Sequence, residues 1–330
     1  MGFMGTTHLL AARRLRGGRV RAIVTTDPRK ARGDFRAVGG NFGGSAGQIS
    51  MRSIRVHEDL DALCADPEID LVDICLPSYL HANASIAALE AGKHVLVEKP
   101  VALGVRDAER MIDTARRKRR RLLVAQVLKF FPEFALLADA IREERWGPLL
   151  ALHLRRVIAR PDWSGDSWFA DPRKSGGMVV DLHIHDTDFV TYVFGKPRSV
   201  QSSGLVRNGR VDFIRTTYRG KRGGPLVTSA GGWINAAGLP FEHGYDAFFA
   251  GGTVHYDSSR TPRPILYGPK GQRELALRGG DGFQRELQAA VDAVHAGRTP
   301  DTLSPATALL SLRICQAEER SARTGRPESL

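Results

Sequence analysis

Leu71 to Pro100 reads LVDICLPSYLHANASIAALEAGKHVLVEKP. Its opening, Leu71–Leu76, is nearly continuous in apolar residues, the pattern of a strand buried on both faces of a parallel sheet. Pro77, Ser78 and His81 follow in a turn. Asn83 is placed to cap a helical run from Ala84, and Gly92 closes that run. His94–Glu98 is the next strand. Lys99-Pro100 ends it, because proline has no N–H to give a ladder.

Outward from this unit the alternation continues. Arg19–Thr25 (RVRAIVT), Ile54–Val56 and Leu122–Lys129 (LLVAQVLK) read as strands, and Leu9–Leu15 and Glu58–Asp66 as helices. Gly33–Gly47 reads as a glycine-rich loop. Strand and helix alternating from Arg19 to Val127 predict a doubly wound α/β domain with a parallel, Rossmann-type sheet.

The first residues, MGFMGTTH, carry half of a phosphate-binding turn. Gly2 and Gly5 have the spacing of the last two glycines of Gly-x-Gly-x-x-Gly, with Phe3 and Met4 between them. Such glycines let the backbone approach a pyrophosphate at a helix N-terminus. The first strand and first glycine should precede Gly2. The expectation is a start assigned too late, with Met1 at an x position of a longer motif that follows a Val/Ile-rich strand. At the end of the second strand, Thr25 or Thr26 stands where a ribose-binding carboxylate belongs. Asp27 lies slightly beyond, then Arg29 and Lys30. These neighbours lean toward NADP, and the choice between NAD and NADP stays open.

The totals give an ordinary soluble composition and a length that suggests two domains: 330 residues, 42% hydrophobic, 25% charged, net charge +12. Arginine is spread along the chain, which reads as a solvated surface and not as a specific nucleic-acid site. The dense run Arg116–Arg121 falls where a helix should end, where cations suit the macrodipole. Three widely spaced cysteines, Cys64, Cys75 and Cys315, form no disulfide framework and suit a reducing cytoplasm. No apolar stretch approaches the roughly 20 residues of a membrane span. The domains expected are 1–122, binding the dinucleotide, and 123–330, binding substrate and oligomerising, with the last helix packing back on the first.

In the second half, Leu149–Ile158 reads as a strand, and Ser199–Leu277 as a mostly antiparallel sheet. Trp163 and Trp168, in a polar loop, are candidate walls of a sugar pocket. Gly176–Asp188 reads GGMVVDLHIHDTD. Asp181, His185 and Asp188 follow at offsets of four and three, which place them on one helix face. A carboxylate one turn from an imidazole can fix its tautomer and favour its charged form, as suits proton transfer. The alternative is a metal site from His183, His185, Asp186 and Asp188. Short helical offsets point to different faces, so no metal is expected. Lys99 ends a parallel strand, where ligands bind in open α/β sheets. A positively charged nicotinamide nearby would disfavour its ammonium form and let it exchange a proton with a substrate hydroxyl.

With GFMGTTH at the start, LPSYLHA at 76–82, VEKP at 97–100 and SGG…DLHIHDTD at 175–188, the chain resembles the Gfo/Idh/MocA oxidoreductases, inositol and related sugar dehydrogenases among them. The terminal SPATALLSL…ARTGRP is also similar. The resemblance implies a Rossmann domain followed by an α+β domain with a large open sheet. It implies NAD or NADP and a sugar or polyol substrate, whose secondary hydroxyl is oxidised reversibly to a ketone or lactone. Lys99, Asp181 and His185 fall on the catalytic positions. Leu76, Pro77, Ser78, His81, Glu98 and Gln126 fall on cofactor positions, and Lys129 near the substrate. The open sheet implies a homodimer or homotetramer. The rival readings are an NAD-dependent glycosidase on the same fold and a catalytically silent cofactor or sugar sensor.

Overall fold

A computed structural model describes residues 1–40, 46–160, 168–236 and 238–330. The chain divides into two compact units, Met1–Val127 with Asp281–Leu309, and Leu128–Gly280 with Leu310–Leu330.

The first unit opens with α1 (Phe3–Ala11), N-capped by Gly2. There follow β1 (Ala22–Val24), α2 (Pro28–Ala31), β2 (Arg55–His57), α3 (Leu60–Ala65), β3 (Leu71–Ile74), α4 (His81–Glu90), β4 (His94–Glu98), α5 (Val105–Lys118) and β5 (Leu122–Ala125). Asp59 caps α3 by accepting from the Ala62 N–H at 2.8 Å. Helix α4 begins at His81, so Asn83 lies inside it and is not its cap. Helix α5 ends on Arg116, Arg117 and Lys118, with Arg119 left-handed at φ 54°. The basic run thus terminates a helix, as the dipole argument requires.

All ladders of this unit are parallel: β1 with β2, and β3 with β4 and β5. Val95, Leu96 and Val97 of the middle strand β4 are wholly buried, which explains its unbroken apolar sequence. The two ladders do not join.

The second unit contains α6 (Pro132–Arg142), β6 (Leu149–Ala159), α7 (Pro172–Ser175), α8 (Ile184–Phe194), β7 (Ser199–Arg207), β8 (Arg210–Arg219), β9 (Leu226–Asn235), β10 (Glu242–Phe249), β11 (Gly252–Asp257), β12 (Ile265–Gly268) and β13 (Gly271–Glu274). Helix α9 (Gly282–His295) and the first residues of α10 (Pro305–Thr324) group with the first unit. The rest of α10 and β14 (Glu328–Ser329) return to the second.

The nine strands run β13-β12-β11-β10-β6-β9-β8-β7-β14. Only β6 and β9 pair in parallel, so the sheet is mixed with a mostly antiparallel pattern. Leu152 and Leu154 of β6 pack with Phe134, Leu137 and Phe189 from α6 and α8. Each such side chain contributes roughly 1.5–3 kcal/mol of burial. Phe134 and Phe189 meet edge to face at 5.3 Å. Another row, Leu226, Ala151, Phe248, Thr253 and Tyr267, runs across five strands. In it Leu226, Phe248 and Tyr267 are 58%, 42% and 43% exposed.

Candidate active site

In the first unit the candidate residues cluster at the carboxyl ends of parallel strands. Lys99 follows β4 directly, and the Lys99-Pro100 peptide is cis. Leu76 and Pro77 follow β3, and Leu76 is 43% exposed. Gln126 follows β5. Gly2 and Phe3 open α1, whose first N–H groups have no partner within the helix. At Gly5, a Cβ would stand 3.2 Å from Met1 Sδ and 3.5 Å from Cys75 Cβ, so a larger residue is disfavoured.

His81 has a different role from the one its motif suggested. It is 1% exposed. Its Nδ1 lies 2.7 Å from the Pro100 carbonyl and its Nε2 2.8 Å from the Leu76 carbonyl. The ring therefore clamps the turns after β3 and β4 together and has no nitrogen left for a dinucleotide. Glu98 is likewise turned inward. Its Oε2 accepts from the Lys99 N–H at 3.0 Å, and its Oε1 lies 3.2 Å from His8 Nε2. Ser78 is buried at the same turn.

His8 was not singled out from the sequence, although it ends the GFMGTTH motif. It is buried, with Nδ1 2.8 Å from Asp73 Oδ2. Burial opposes its charge, but the Asp73 carboxylate outweighs that and raises its pKa well above the ordinary histidine value. The neighbouring Cys75 thiol is pushed up to about 12, chiefly by burial and then by Asp73. Ligand atoms of His8, Asp73 and Cys75 lie within 4.8 Å of one another. A charged imidazole between Asp73 and Glu98 accounts for the cluster without a cation.

At the end of β1, Thr25 is buried and its Oγ1 accepts from the Asp27 N–H at 3.2 Å. Asp27 caps α2, and its carboxyl is held below the usual range chiefly by the Arg29 N–H. Lys30 reaches back to the Met1 carbonyl at 2.9 Å. Gln126 is 1% exposed, and both polar atoms of its amide are buried without a hydrogen-bond partner. Such an orphaned amide fits a site meant to hold a polar group. With the glycine-opened helix and exposed Leu76, it makes these strand ends suited to a dinucleotide.

In the second unit, the stretch GGMVVDLHIHDTD departs from the regular helix expected. Val179–His183 form a π-helical turn before α8. Such one-turn widenings recur at functional sites, and this one breaks the simple four-and-three spacing. Asp181 is buried on that turn, and His185 follows half-buried on α8. Asp188 does not join them as a site residue. It is paired with Lys129 at 2.7 Å, each side chain 1% exposed. Lys129 is thus a buried ion-pair partner of Asp188.

His183 and Asp186 are also committed inward. His183 Nε2 lies 3.1 Å from Ser229 Oγ, and Arg156 donates to Asp186 at 2.9 Å. With Asp186 and Asp188 held by cations, the histidines and aspartates of this stretch do not assemble as metal ligands. Trp168 stacks on Phe169 at 3.9 Å. Trp163 lies outside the described residues.

A Rossmann-type unit with candidate groups at its strand ends, joined to an open mixed sheet, defines a nicotinamide-dependent oxidoreductase. Residues 1–126 match the model of an oxidoreductase family with an NAD-binding Rossmann fold, and residues 134–238 match the GFO/IDH/MocA C-terminal domain. The chain belongs to the GFO/IDH/MocA family of oxidoreductases. It is 27% identical over 278 residues to a 1,5-anhydro-D-fructose reductase of Ensifer adhaerens, covering 81% of each chain. It is 26% identical over 260 residues to a myo-inositol 2-dehydrogenase of Thermotoga maritima, covering 74% of this chain and 75% of that one. Its fold superposes on a levoglucosan dehydrogenase solved with NADH and levoglucosan, with a TM-score of 0.81, 22% identity, and coverage of 99% and 96%. The protein is an NAD(P)-dependent oxidoreductase. No described helix is long and apolar enough to cross a membrane.

Proposed function

We propose that the protein oxidises a secondary hydroxyl of a cyclic polyol or sugar, of inositol or aldose type, reversibly to a ketone or lactone. The observation that carries this reading is the position of Lys99 at the carboxyl end of β4, the middle strand of its ladder, in a chain whose residues 1–126 and 134–238 match the two domains of one oxidoreductase family. Bound NAD or NADP supplies the hydride acceptor. Gly2, Phe3, Met4 and Gly5 would meet its pyrophosphate, Thr25 its ribose, and Leu76, Pro77, Ser78 and Gln126 the remainder. His81 and Glu98 support these turns from behind.

In the proposed reaction the hydride goes to the nicotinamide and the hydroxyl proton leaves through His185 and Lys99, the neutral amine of Lys99 accepting it directly or from the imidazole. Asp181 orients the hydroxyl or the imidazole. A positioned acid–base group of this kind contributes about 10²–10⁴-fold in rate. The enzyme is read as cytoplasmic, in keeping with three free thiols. The exposed row Leu226, Phe248 and Tyr267 supports a homodimer or homotetramer through the open sheet.

A panel of inositols and aldoses, assayed with NAD and with NADP by absorbance of the reduced nicotinamide, tests the reading. Turnover on at least one polyol or aldose is expected. Release of free sugar from a glycoside with no net reduced cofactor would contradict it, as would tight cofactor binding with no turnover across the panel.

A further inference from the structure

Leu152 and Leu154 of β6 pack with the helices α6 and α8. His153 between them therefore points to the opposite, open face of the nine-stranded sheet. Its register partners on the neighbouring strands are Asp246 of β10 and Thr228 of β9. Asp246 in turn pairs with His255 of β11. Partners in register project to the same side, with Cβ atoms about 4.5–5.5 Å apart. His153, Asp246 and His255 thus make one row of imidazole, carboxylate and imidazole on three adjacent strands. The row lines a cavity of about 220 Å³. Gly244, two residues before Asp246 on the same face, lines it too and puts no side chain into it. A Cβ there would stand 2.1 Å from the Tyr256 carbonyl oxygen, so the strand crossing itself excludes a larger residue.

The row is arranged to offer lone pairs. His153 Nδ1 lies 2.9 Å from Thr228 Oγ1. With that nitrogen donating to the hydroxyl, Nε2 keeps its lone pair, and an outer hydrogen bond of this kind is what orients metal-binding histidines. Burial is the chief cause that lowers the His153 pKa, so its ring is neutral at neutral pH. His255 Nδ1 and Asp246 Oδ1 are 2.6 Å apart. Two ligand atoms on one zinc-sized ion stand roughly 3 Å apart, so a small parting lets an ion replace the proton they share, and that proton leaves to solvent. The carboxylates of Glu242, Asp246 and Asp257 line the cavity against the single guanidinium of Arg155, which contacts Glu242 and Asp257. This surplus of negative charge favours a cation. The geometry points to a site for one zinc-type divalent ion held by His153, Asp246 and His255, with its remaining coordination filled by water. The site is on the other side of the sheet from α8, uses none of the groups of the proposed reaction and holds whatever the substrate is.

The test is calorimetric titration of the EDTA-treated 330-residue chain with Zn²⁺ alone. One ion per chain is expected, with a Kd of about 10 μM or tighter. His153→Gln and the isosteric Asp246→Asn should each weaken binding by about tenfold or more. His8→Gln, which alters the buried group of His8, Asp73 and Cys75, should leave it unchanged. Co²⁺ in place of Zn²⁺ should show visible ligand-field bands and no thiolate-to-metal band, because the site contains no cysteine. Absence of binding at that strength overturns the proposal. So does equal affinity in the parent and Asp246→Asn, a loss of binding in His8→Gln, or a thiolate band, since each of these places the ion elsewhere.

Discussion

The Lys129 ammonium lies 2.7 Å from the Asp188 carboxylate, with both side chains almost wholly buried. Ser311 donates a further hydrogen bond to Asp188 at 3.1 Å. Removing one member of such a pair strands a charge, which costs about 3–5 kcal/mol, whereas replacing both by apolar groups is often neutral. Lys129→Met should therefore lower unfolding stability by that amount in urea titrations. Lys129→Met with Asp188→Leu should recover most of it. Equal losses in the single and double variants would show that the pair is not the source.

His8 makes stability depend on pH. Its folded-state pKa is raised by Asp73, so its contribution is fully present below the unfolded value of about 6.5. The contribution declines above that value and is lost once pH passes the folded value. The thermal midpoint should therefore fall between about pH 6.5 and the alkaline range, and His8→Gln should flatten that slope. A slope identical in the variant would contradict the assignment.

Gln126 couples cofactor and stability in opposite directions. Its buried amide lacks partners, and an unsatisfied buried polar group costs about 1–3 kcal/mol. Gln126→Leu should stabilise the cofactor-free protein by up to that amount and weaken dinucleotide binding measured by calorimetry. A variant that is less stable and binds normally would refute the role.

The π-turn is held from below by His183, which contacts Ser229 at 3.1 Å and Glu318 at 3.6 Å. Glu318 in turn accepts from Thr187 at 3.0 Å. These residues position the turn and do not touch substrate in the proposed reaction. Glu318→Gln should lower kcat by up to about 10²-fold, the scale of a misplacement near 1 Å, with a smaller change in KM. An unaltered kcat in a folded variant would remove His183 and Glu318 from the account.

Much of this was legible in the sequence. Continuous apolar runs at Leu71–Leu76 and His94–Glu98 forecast buried parallel strands, and the apolar face Leu9–Leu15 forecast a helix, which in the structure begins earlier, at Phe3, and ends at Ala11. Other features depend on partners remote in sequence. Nothing near Lys129 announces Asp188, nothing near His81 announces the Pro100 carbonyl, and one inserted residue of helical path at Val179–His183 defeats counting in fours. His8 stood in a recognised motif, yet its charge derives from Asp73, on another strand.

The central claim is that Lys99 and His185 serve a single proton-transfer step. A double-mutant cycle tests it most directly, with kcat/KM measured for the parent, Lys99→Ala, His185→Ala and the double variant on the best substrate of the panel. Each single change should cost about two to four decades. The double change should cost little more than the worse single one, because groups that act as a unit are strongly non-additive. Near-parental rates in the single variants, or losses that multiply fully in the double variant, would contradict the shared step.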